Sequence, residues 1–383
     1  MNNEIFIKYS SLMPEEELHK IGFDSLYLNS AALKYKTKKI KIFNLKSPEA
    51  NILKQLCLSL GFDCGVSKGV VNCVVDYTNA ILSPSEAQLN ELIRKLKLQP
   101  YRLKQLAEEF EKVLTEKKEV IEIRGKIFDW SRPYIVAILN ITPDSFSDGG
   151  KYFSMDSALK RAKELIEEGA DIIDIGGEST KPGYIEVSDM DECIRILPII
   201  EKLRSIYPEI VLSVDTRKPY VAEKALEAGA DIINDIDLID DEMVKVQKKF
   251  SCPIVVTANK DFKTGDIVEN VYEYFNDTVS SLCAQGVERK NIILDVGIGF
   301  NKTVEDCFAL IKRASEFNSL NLPMYWGISR KSFMQKTFGL NPKECDFPSL
   351  VYSDYLVQNG ANFIRTHEVR DLKRSFEFLG RVL

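Results

Sequence analysis

Histidine is nearly missing from this chain. His19 and His367 are the only two among 383 residues, so a zinc centre of the histidine-rich kind is not expected. Paired cysteines are missing as well: Cys57, Cys64, Cys73, Cys193, Cys252, Cys283, Cys307 and Cys345 form no Cys-x-x-Cys and lie near no histidine cluster, which points to reduced, mostly buried thiols. No apolar run approaches the length of a membrane span, and the opening MNNEIFIKYSSLMPEEEL lacks the charged start and long apolar stretch of a signal peptide. A cytoplasmic protein with no membrane partner is therefore expected. An excess of basic residues is missing too. With 51 Lys and Arg against 57 Asp and Glu, the net charge of −6 argues against nucleic acid, although a local basic cluster could still hold a phosphorylated small molecule. What remains, 45% hydrophobic and 28% charged residues, is the balance of a globular chain long enough for one large domain and a smaller one.

Up to about Ile127 the pattern is that of a small α/β module. Strands are expected at Ile5 to Tyr9, Lys39 to Leu45 and Asn72 to Asp76, and a helix at Pro48 to Leu60. Ser83-Pro84-Ser85-Glu86 carries helix-capping chemistry, and Pro100 separates that helix from a Glu- and Lys-rich one at Leu103 to Lys118, expected to be a solvated connecting face. The first domain is placed at 1–118 and the second at 119–383. No catalytic constellation lies in the first.

From Arg132 onward strand-like and helical runs alternate eight times over about 250 residues, the pattern of a (β/α)8 TIM barrel. An open doubly wound sheet is disfavoured, because no Gly-x-Gly-x-x-Gly follows the first strand. Three repeats, Glu168-Gly169-Ala170-Asp171, Ala228-Gly229-Ala230-Asp231 and Asn359-Gly360-Ala361-Asn362, read as helices ending in a glycine cap before a buried strand.

In such a barrel chemistry gathers at the carboxyl ends of the strands. Those ends are unusually polar here. The first leads into Asn140-Ile141-Thr142-Pro143-Asp144-Ser145-Phe146-Ser147-Asp148-Gly149-Gly150, in which Asn140 can offer a carbonyl oxygen to a hard cation and Asp144 and Asp148 can support a reacting group. The second ends in the stretch from Asp174 to Gly183, the third in Ser213-Val214-Asp215-Thr216, the fourth in Asn234-Asp235 and the sixth in Asp295-Val296-Gly297. The seventh and eighth end in Ser329-Arg330-Lys331-Ser332 and in Arg365-Thr366-His367. Several carboxylates facing one cavity imply a ligand rich in donors, or mutual pairing.

Asp215, Asn234 and Asp295 can face a flat heterocycle that carries N–H and amino groups, and Lys331 can donate to its ring carbonyl or nitrogen. Arg365 and His367, two apart on a strand, share a face and could clamp a diphosphate, with Asn140 and Mg²⁺ completing the neutralisation. Ser332 could open a helix whose N–H groups suit a carboxylate. The Gly297 to Thr303 loop fits a tight turn better than a phosphate cradle.

These motifs, in this order, resemble dihydropteroate synthase: LNITPDSFSDGG, Gly-Gly-Glu-Ser-Thr at 176–180, Ser-Val-Asp-Thr at 213–216, Ser-Arg-Lys-Ser at 329–332 and Arg-x-His at 365–367. The resemblance covers about Arg132 to the C-terminus. It implies condensation of 6-hydroxymethyl-7,8-dihydropterin diphosphate with p-aminobenzoate, giving 7,8-dihydropteroate and pyrophosphate. In such enzymes C–O cleavage is thought to come first, leaving a pterin cation.

By the same resemblance Asn140 would bind Mg²⁺, and Thr180, Asp215, Asn234, Asp295, Lys331, Arg365 and His367 would surround the pterin diphosphate. Phe146, Pro182, Lys331 and Ser332 would line the p-aminobenzoate pocket, while Asp148, Asp295 and Lys331 would be catalytic. A homodimer is implied as well. Three departures stand out: Lys181 where the family usually has Arg, Val296 where Pro usually follows the aspartate, and Val255 to Asp261 in place of a Met-His type ending. A pterin-dependent methyltransferase on a similar barrel is the nearest rival, but it has no need of Ser-Arg-Lys-Ser or of Arg365 with His367. A non-catalytic pterin-binding or scaffold barrel is the other rival.

Overall fold

The structure, a computed structural model, describes residues 10, 12–141, 155–178 and 186–381. They fall into two compact units, Met1–Glu116 and Lys117–Leu383. In the first unit the described helices are α1 (Pro14–Lys20), α2 (Leu28–Ala32), α3 (Ser47–Ser59), α4 (Glu86–Leu96) and α5 (Leu103–Thr115). Strands β1 (Ile40–Lys46), β2 (Cys64–Val66) and β3 (Tyr77–Leu82) make an antiparallel sheet in the order β1-β3-β2. The period-2 pattern of β3 buries Thr78, Ala80 and Leu82 and exposes Tyr77, Asn79 and Ile81. That inner face packs with Leu53 of α3, Leu89 and Leu92 of α4, and Leu103, Ala107 and Phe110 of α5. Ser85 caps α4 reciprocally with Gln88: the hydroxyl takes the Gln88 N–H at 3.3 Å and the amide oxygen takes the Ser85 N–H at 2.9 Å.

Two expectations for this unit are corrected. Asn72 to Asp76 is not a strand, because Cys73 has φ +53° and the Cys73 and Val74 amides close turns onto Val70 and Gly69. The charged helix ends at Thr115 rather than Lys118. The strand expected at Ile5 to Tyr9 lies outside the described residues.

The second unit opens with a hairpin not anticipated from the sequence, β4 (Ile121–Ile123) and β5 (Lys126–Phe128). Eight parallel strands follow: β6 (Tyr134–Asn140), β7 (Ile172–Gly176), β8 (Val211–Asp215), β9 (Ile232–Asp235), β10 (Ile254–Thr257), β11 (Ile292–Asp295), β12 (Met324–Gly327) and β13 (Phe363–Thr366). They close into a barrel, with β13 against β6. The helices are α6 (Met155–Glu168), α7 (Asp189–Ile206), α8 (Pro219–Glu227), α9 (Asp241–Phe250), α10 (Ile267–Ala284), α11 (Val304–Lys312), α12 (Ser332–Phe338), α13 (Asp346–Gln358) and α14 (Val369–Leu379). After Lys312, α11 gives way to a 3₁₀ segment, Ala314–Leu320.

Alternation along the strands sorts their side chains into two sets. Ile173, Ile175, Leu212, Val214, Ile233, Val256, Leu294 and Trp326 face the helices. Tyr134, Ile172, Val211, Ile232, Val255, Ile293, Tyr325 and Phe363 form the core at the amino end of the barrel, joined by Ile121, Ile123 and Phe128 of the hairpin. Burying each such side chain contributes about 1.5–3 kcal/mol.

The Gly-Ala-Asp/Asn repeats do more than cap helices. Gly169, Gly229 and Gly360 have φ +105°, +113° and +100°, as helix-ending glycines should. Two residues on, the Asp171 carboxylate takes the Ile135 N–H at 2.8 Å, Asp231 takes the Leu212 N–H at 2.9 Å, and the Asn362 side-chain oxygen takes the Met324 N–H at 3.0 Å. Each acceptor reaches the amide of the preceding strand and fixes its register. Arg132 also pairs with Asp171, Arg124 and Arg204 with Asp231, and Lys118 donates to Asn362 at 2.6 Å.

Candidate active site

Two residues beyond the apolar core, the same inward positions turn polar. β7 passes from Ile172 to Asp174, β8 from Val211 through Ser213 to Asp215, β9 from Ile232 to Asn234, β11 from Ile293 to Asp295, and β13 from Phe363 to Arg365. The strand register gathers the polar groups toward the carboxyl end, Asp174 beside Ser213 and Asp215 beside Asn234. Arg365 lies at the centre: its Nε donates to Asp174 Oδ2 at 2.6 Å and its Nη2 to Asp215 Oδ2. Asn234 Nδ2 donates to the same Asp174 oxygen at 3.0 Å. The other Asp174 oxygen and the Asn234 carbonyl oxygen are buried and have no hydrogen-bond partner among the described residues. Such an acceptor is unfavourable unless something fills it.

Burial sets the ionisation of this layer. It pushes the Asp215 carboxyl up to about 7, with the Arg365 guanidinium pulling the other way. Asp295 is raised by burial against the opposing Gly297 N–H, which it accepts at 2.9 Å, and against Lys331. Burial lowers Lys331 to about 8, although Asp295 and Asp215 favour its charge. The Lys331 ammonium stands 4.0 Å from the centroid of the Phe300 ring. For Arg365 burial opposes the charge, but Asp215 and Asp174 outweigh it and hold the guanidinium protonated beyond its ordinary range.

Asn140 closes β6 opposite Gly176, and a Cβ on Gly176 would lie 3.5 Å from the Asn140 carbonyl oxygen and 3.6 Å from Asp215 Oδ2. The missing side chain keeps the space between these two oxygens open. Ser332 begins α12, and Lys331 precedes it in extended backbone. His367 lies just past the end of β13, with Nδ1 3.0 Å from Ser329 Oγ. Two carboxylates hold Arg365 inside the barrel, while the His367 ring meets Ser329. Phe146, Asp148, Thr180 and Pro182, along with Lys181, lie outside the described residues.

Asp174 was named in the sequence reading only as the start of the second strand's polar end and was given no role. A carboxylate inside the apolar run Ile172-Ile173-Asp174-Ile175 was the available signal, because burial of an unpaired charge is unfavourable. Two of the three departures from the family pattern find structural uses. Val296 is fully buried in the outer core. Beyond β10, Lys302 Nζ donates to the Ala258 carbonyl at 2.6 Å, and Asn301 bonds Asn259, which bonds the Ile236 carbonyl at 2.8 Å. Gly297, at φ +69°, brings its backbone so near that a Cβ would meet the Ala258 oxygen at 3.0 Å, so this loop is a tight turn.

Residues 136–367 match the family of pterin binding enzymes. The dihydropteroate synthase of Bacillus subtilis is 40% identical over 252 residues, covering 65% of this chain and 88% of that protein. A solved structure of Xanthomonas albilineans dihydropteroate synthase with 4-aminobenzoic acid superposes with a TM-score of 0.66 at 31% identity, over 70% of this chain and 98% of that one. A Halobacterium salinarum protein described as a probable bifunctional folylpolyglutamate synthase/dihydropteroate synthase is 38% identical over 336 residues, 85% of this chain. That alignment is longer than the whole second unit, so this likeness, unlike the one seen in the motifs, reaches into the first. The chain spans only 40% of the Halobacterium protein's length. With the barrel, the family match and these relatives in agreement, the chain belongs to the dihydropteroate synthases, transferases of folate biosynthesis.

Proposed function

We propose that this chain performs the family's condensation with the layer of side chains just described, the pterin lying over Asp174, Asp215, Asn234 and Asp295. The observation that carries the reading is the pair of buried acceptors with no partner among the described residues, Asp174 Oδ1 and Asn234 Oδ1. A pterin presents amino and ring N–H donors, which would supply the missing bonds. Lys331 donates to the ring oxygen or nitrogen and, with Ser332, meets the p-aminobenzoate. Thr180, Arg365 and His367 take the diphosphate. Phe146, Asp148, Thr180 and Pro182 enter on the resemblance alone.

The reaction breaks the bond between the pterin methylene carbon and the diphosphate oxygen and joins that carbon to the aryl nitrogen, which then gives up a proton. Positive charge develops on the pterin. Asp295, with Asp148, stabilises it, and Arg365 and His367 stabilise the departing anion. A Mg²⁺ ion fits this donor set. Among the described residues no group of three His, Cys, Asp or Glu could hold a metal, whereas magnesium accepts one carboxamide oxygen and fills its shell with phosphate oxygens and water. Asn140 would hold it. Bound there, the ion supplies Lewis-acid neutralisation of the diphosphate.

Two further expectations join this reading. A homodimer is supported by an exposed apolar stripe of Phe347, Val351 and Tyr355 at helical spacing on α13, beside exposed Phe378 of α14. A cytoplasmic setting accords with the described helices, none of which is long and apolar enough to cross a membrane. The deciding experiment follows pyrophosphate release with the dihydropterin diphosphate, Mg²⁺ and p-aminobenzoate, each omitted in turn. Release that needs all three and yields pteroate is the expected result. Binding of the diphosphate without product would return the chain to a binding role.

A further inference from the structure

The Ser-Arg-Lys-Ser motif contains an arginine that the proposed chemistry does not use. Arg330 stands between Ser329, which meets His367, and Lys331, which faces Asp295 and Asp215. Its backbone is left-handed, φ +58°, a conformation that side chains other than glycine adopt at a penalty. The consequence is directional. Two long cations, adjacent in sequence, leave the chain on opposite sides, Lys331 into the barrel and Arg330 away from it.

Outside, Arg330 makes three charged hydrogen bonds. Nε and Nη2 reach the two oxygens of Asp346, at 2.6 and 2.9 Å, and Nη2 also reaches Glu368 Oε1 at 2.6 Å. Asp346 is the first residue of α13, and Glu368 is the residue after His367. The Arg330 amide donates to Ser349 Oγ at 3.2 Å, and its carbonyl accepts from Gln335 Nε2 at 3.0 Å. His367 is held in parallel: Ser329 Oγ accepts its backbone N–H at 3.2 Å, and Arg161 donates to its carbonyl at 3.3 Å. The loops after β12 and β13 are thus tied twice, through Ser329 to His367 and through Arg330 to Glu368. Partly exposed ion pairs add little stability, so stability alone does not account for a left-handed arginine here.

We propose that Arg330 is a positioning residue for the condensation: its fork on Asp346 and Glu368 sets the distance between Lys331 and His367, and so between the pterin contact and the leaving diphosphate. The inference rests on the roles given to Lys331 and His367 under the proposed function. Misplacement of a reacting pair by an ångström can lower the rate about a hundredfold, so a small shift would be visible in turnover.

Arg330→Gly removes the fork and suits the positive φ, so folding is preserved. Glu368→Gln removes one arm, and Arg330→Lys keeps the charge without the fork. Turnover is followed by pyrophosphate release on the full chain, with thermal unfolding measured alongside. Arg330→Gly and Glu368→Gln are each expected to lower kcat by about tenfold or more, with KM for p-aminobenzoate within about twofold. Arg330→Lys should recover part of the loss. The double variant Arg330→Gly/Glu368→Gln should be no slower than Arg330→Gly, because one interaction is lost in both. Wild-type kcat in Arg330→Gly, additive losses in the double variant, or losses that follow the unfolded fraction would each overturn the proposal. Lys331→Ala and His367→Ala run in the same assay. If both are inactive while Arg330→Gly is not, the positioning role fails and the site reading stands; if both retain turnover, the site reading fails and takes the positioning role with it.

Discussion

The two ends of the barrel both carry carboxylates against arginine, and they differ in what is left over. At the amino end Asp231 takes Arg124 on one oxygen and Arg204 with the Leu212 N–H on the other, and Asp171 is filled likewise by Arg132 and the Ile135 N–H. At the carboxyl end Asp174 spends one oxygen on Arg365 and Asn234 and leaves the other buried and open, as Asn234 leaves its carbonyl. The amino-end carboxylates have both oxygens filled within the fold, whereas the open oxygen of Asp174 can still take a donor from a ligand. The type of residue does not separate the two ends.

Lys331→Ala should break the comparison hardest. Removing an ammonium aimed into the open layer is expected to lower kcat/KM by about a hundred- to a thousandfold, with unfolding little changed. A near-normal rate would contradict the site. The native enzyme should show the same dependence without mutation. Because burial brings Lys331 down to about 8, its charged form is present below that pH and lost above it. A pH profile of kcat/KM for the pterin diphosphate should therefore fall as pH rises through about 8. In Lys331→Arg, whose guanidinium stays protonated, that falling limb should vanish even if the maximum is lower.

Asp174→Asn tests the open acceptors next. Arg365 keeps Asp215, so folding should survive, but a charged acceptor is replaced by a neutral group and the pairing with Asn234 is disturbed. A hydrogen bond to a charged group is worth about 1.5–3 kcal/mol, so pterin affinity by titration calorimetry should weaken about ten- to a hundredfold. Unchanged affinity would mean that the open oxygens do not face the ligand.

This contrast was only partly legible in the sequence. The barrel strands could be read because runs such as Tyr134 to Ile138 and Ile292 to Leu294 are β-branched and continuous, as strands buried on both faces must be. The hairpin at Ile121–Phe128 could not, because two strands of three residues are too short to show a period. Asn72 to Asp76 looked like a strand because of Val74 and Val75, yet the positive φ of Cys73 makes it a turn. Asp215, Asn234, Asp295, Lys331 and Arg365 were each legible from their motifs. Asp174 carried a signal, a carboxylate inside an apolar run, but its role was not legible, because its partners Asn234 and Arg365 lie 60 and 191 residues away and only folding joins them.

Asp231→Ala sharpens the other side of the comparison. It strands the Leu212 N–H and two arginines at the amino end, and should lower stability by about 3 kcal/mol in urea unfolding. Per folded molecule, kcat should not move. A change in kcat at constant folding would mean that the amino-end carboxylates reach the chemistry, and the division between the two ends would no longer hold.

The smallest effect is expected from the largest deletion. Every described site side chain, the hairpin that joins the amino-end core, and that core itself belong to Lys117–Leu383. The first unit has a separate core of its own built on Leu53, Leu82, Leu92 and Leu103. A chain shortened to residues 117–383 should therefore fold and keep kcat within about twofold of the full chain, the behaviour of a unit that owns its core. The alignment with the Halobacterium protein shows that at least one relative shares part of this first unit, but nothing in the barrel chemistry requires it. A shortened chain that is cooperatively folded yet inactive would place a needed group in the first 116 residues, and the two ends of the barrel would then not suffice to explain the site.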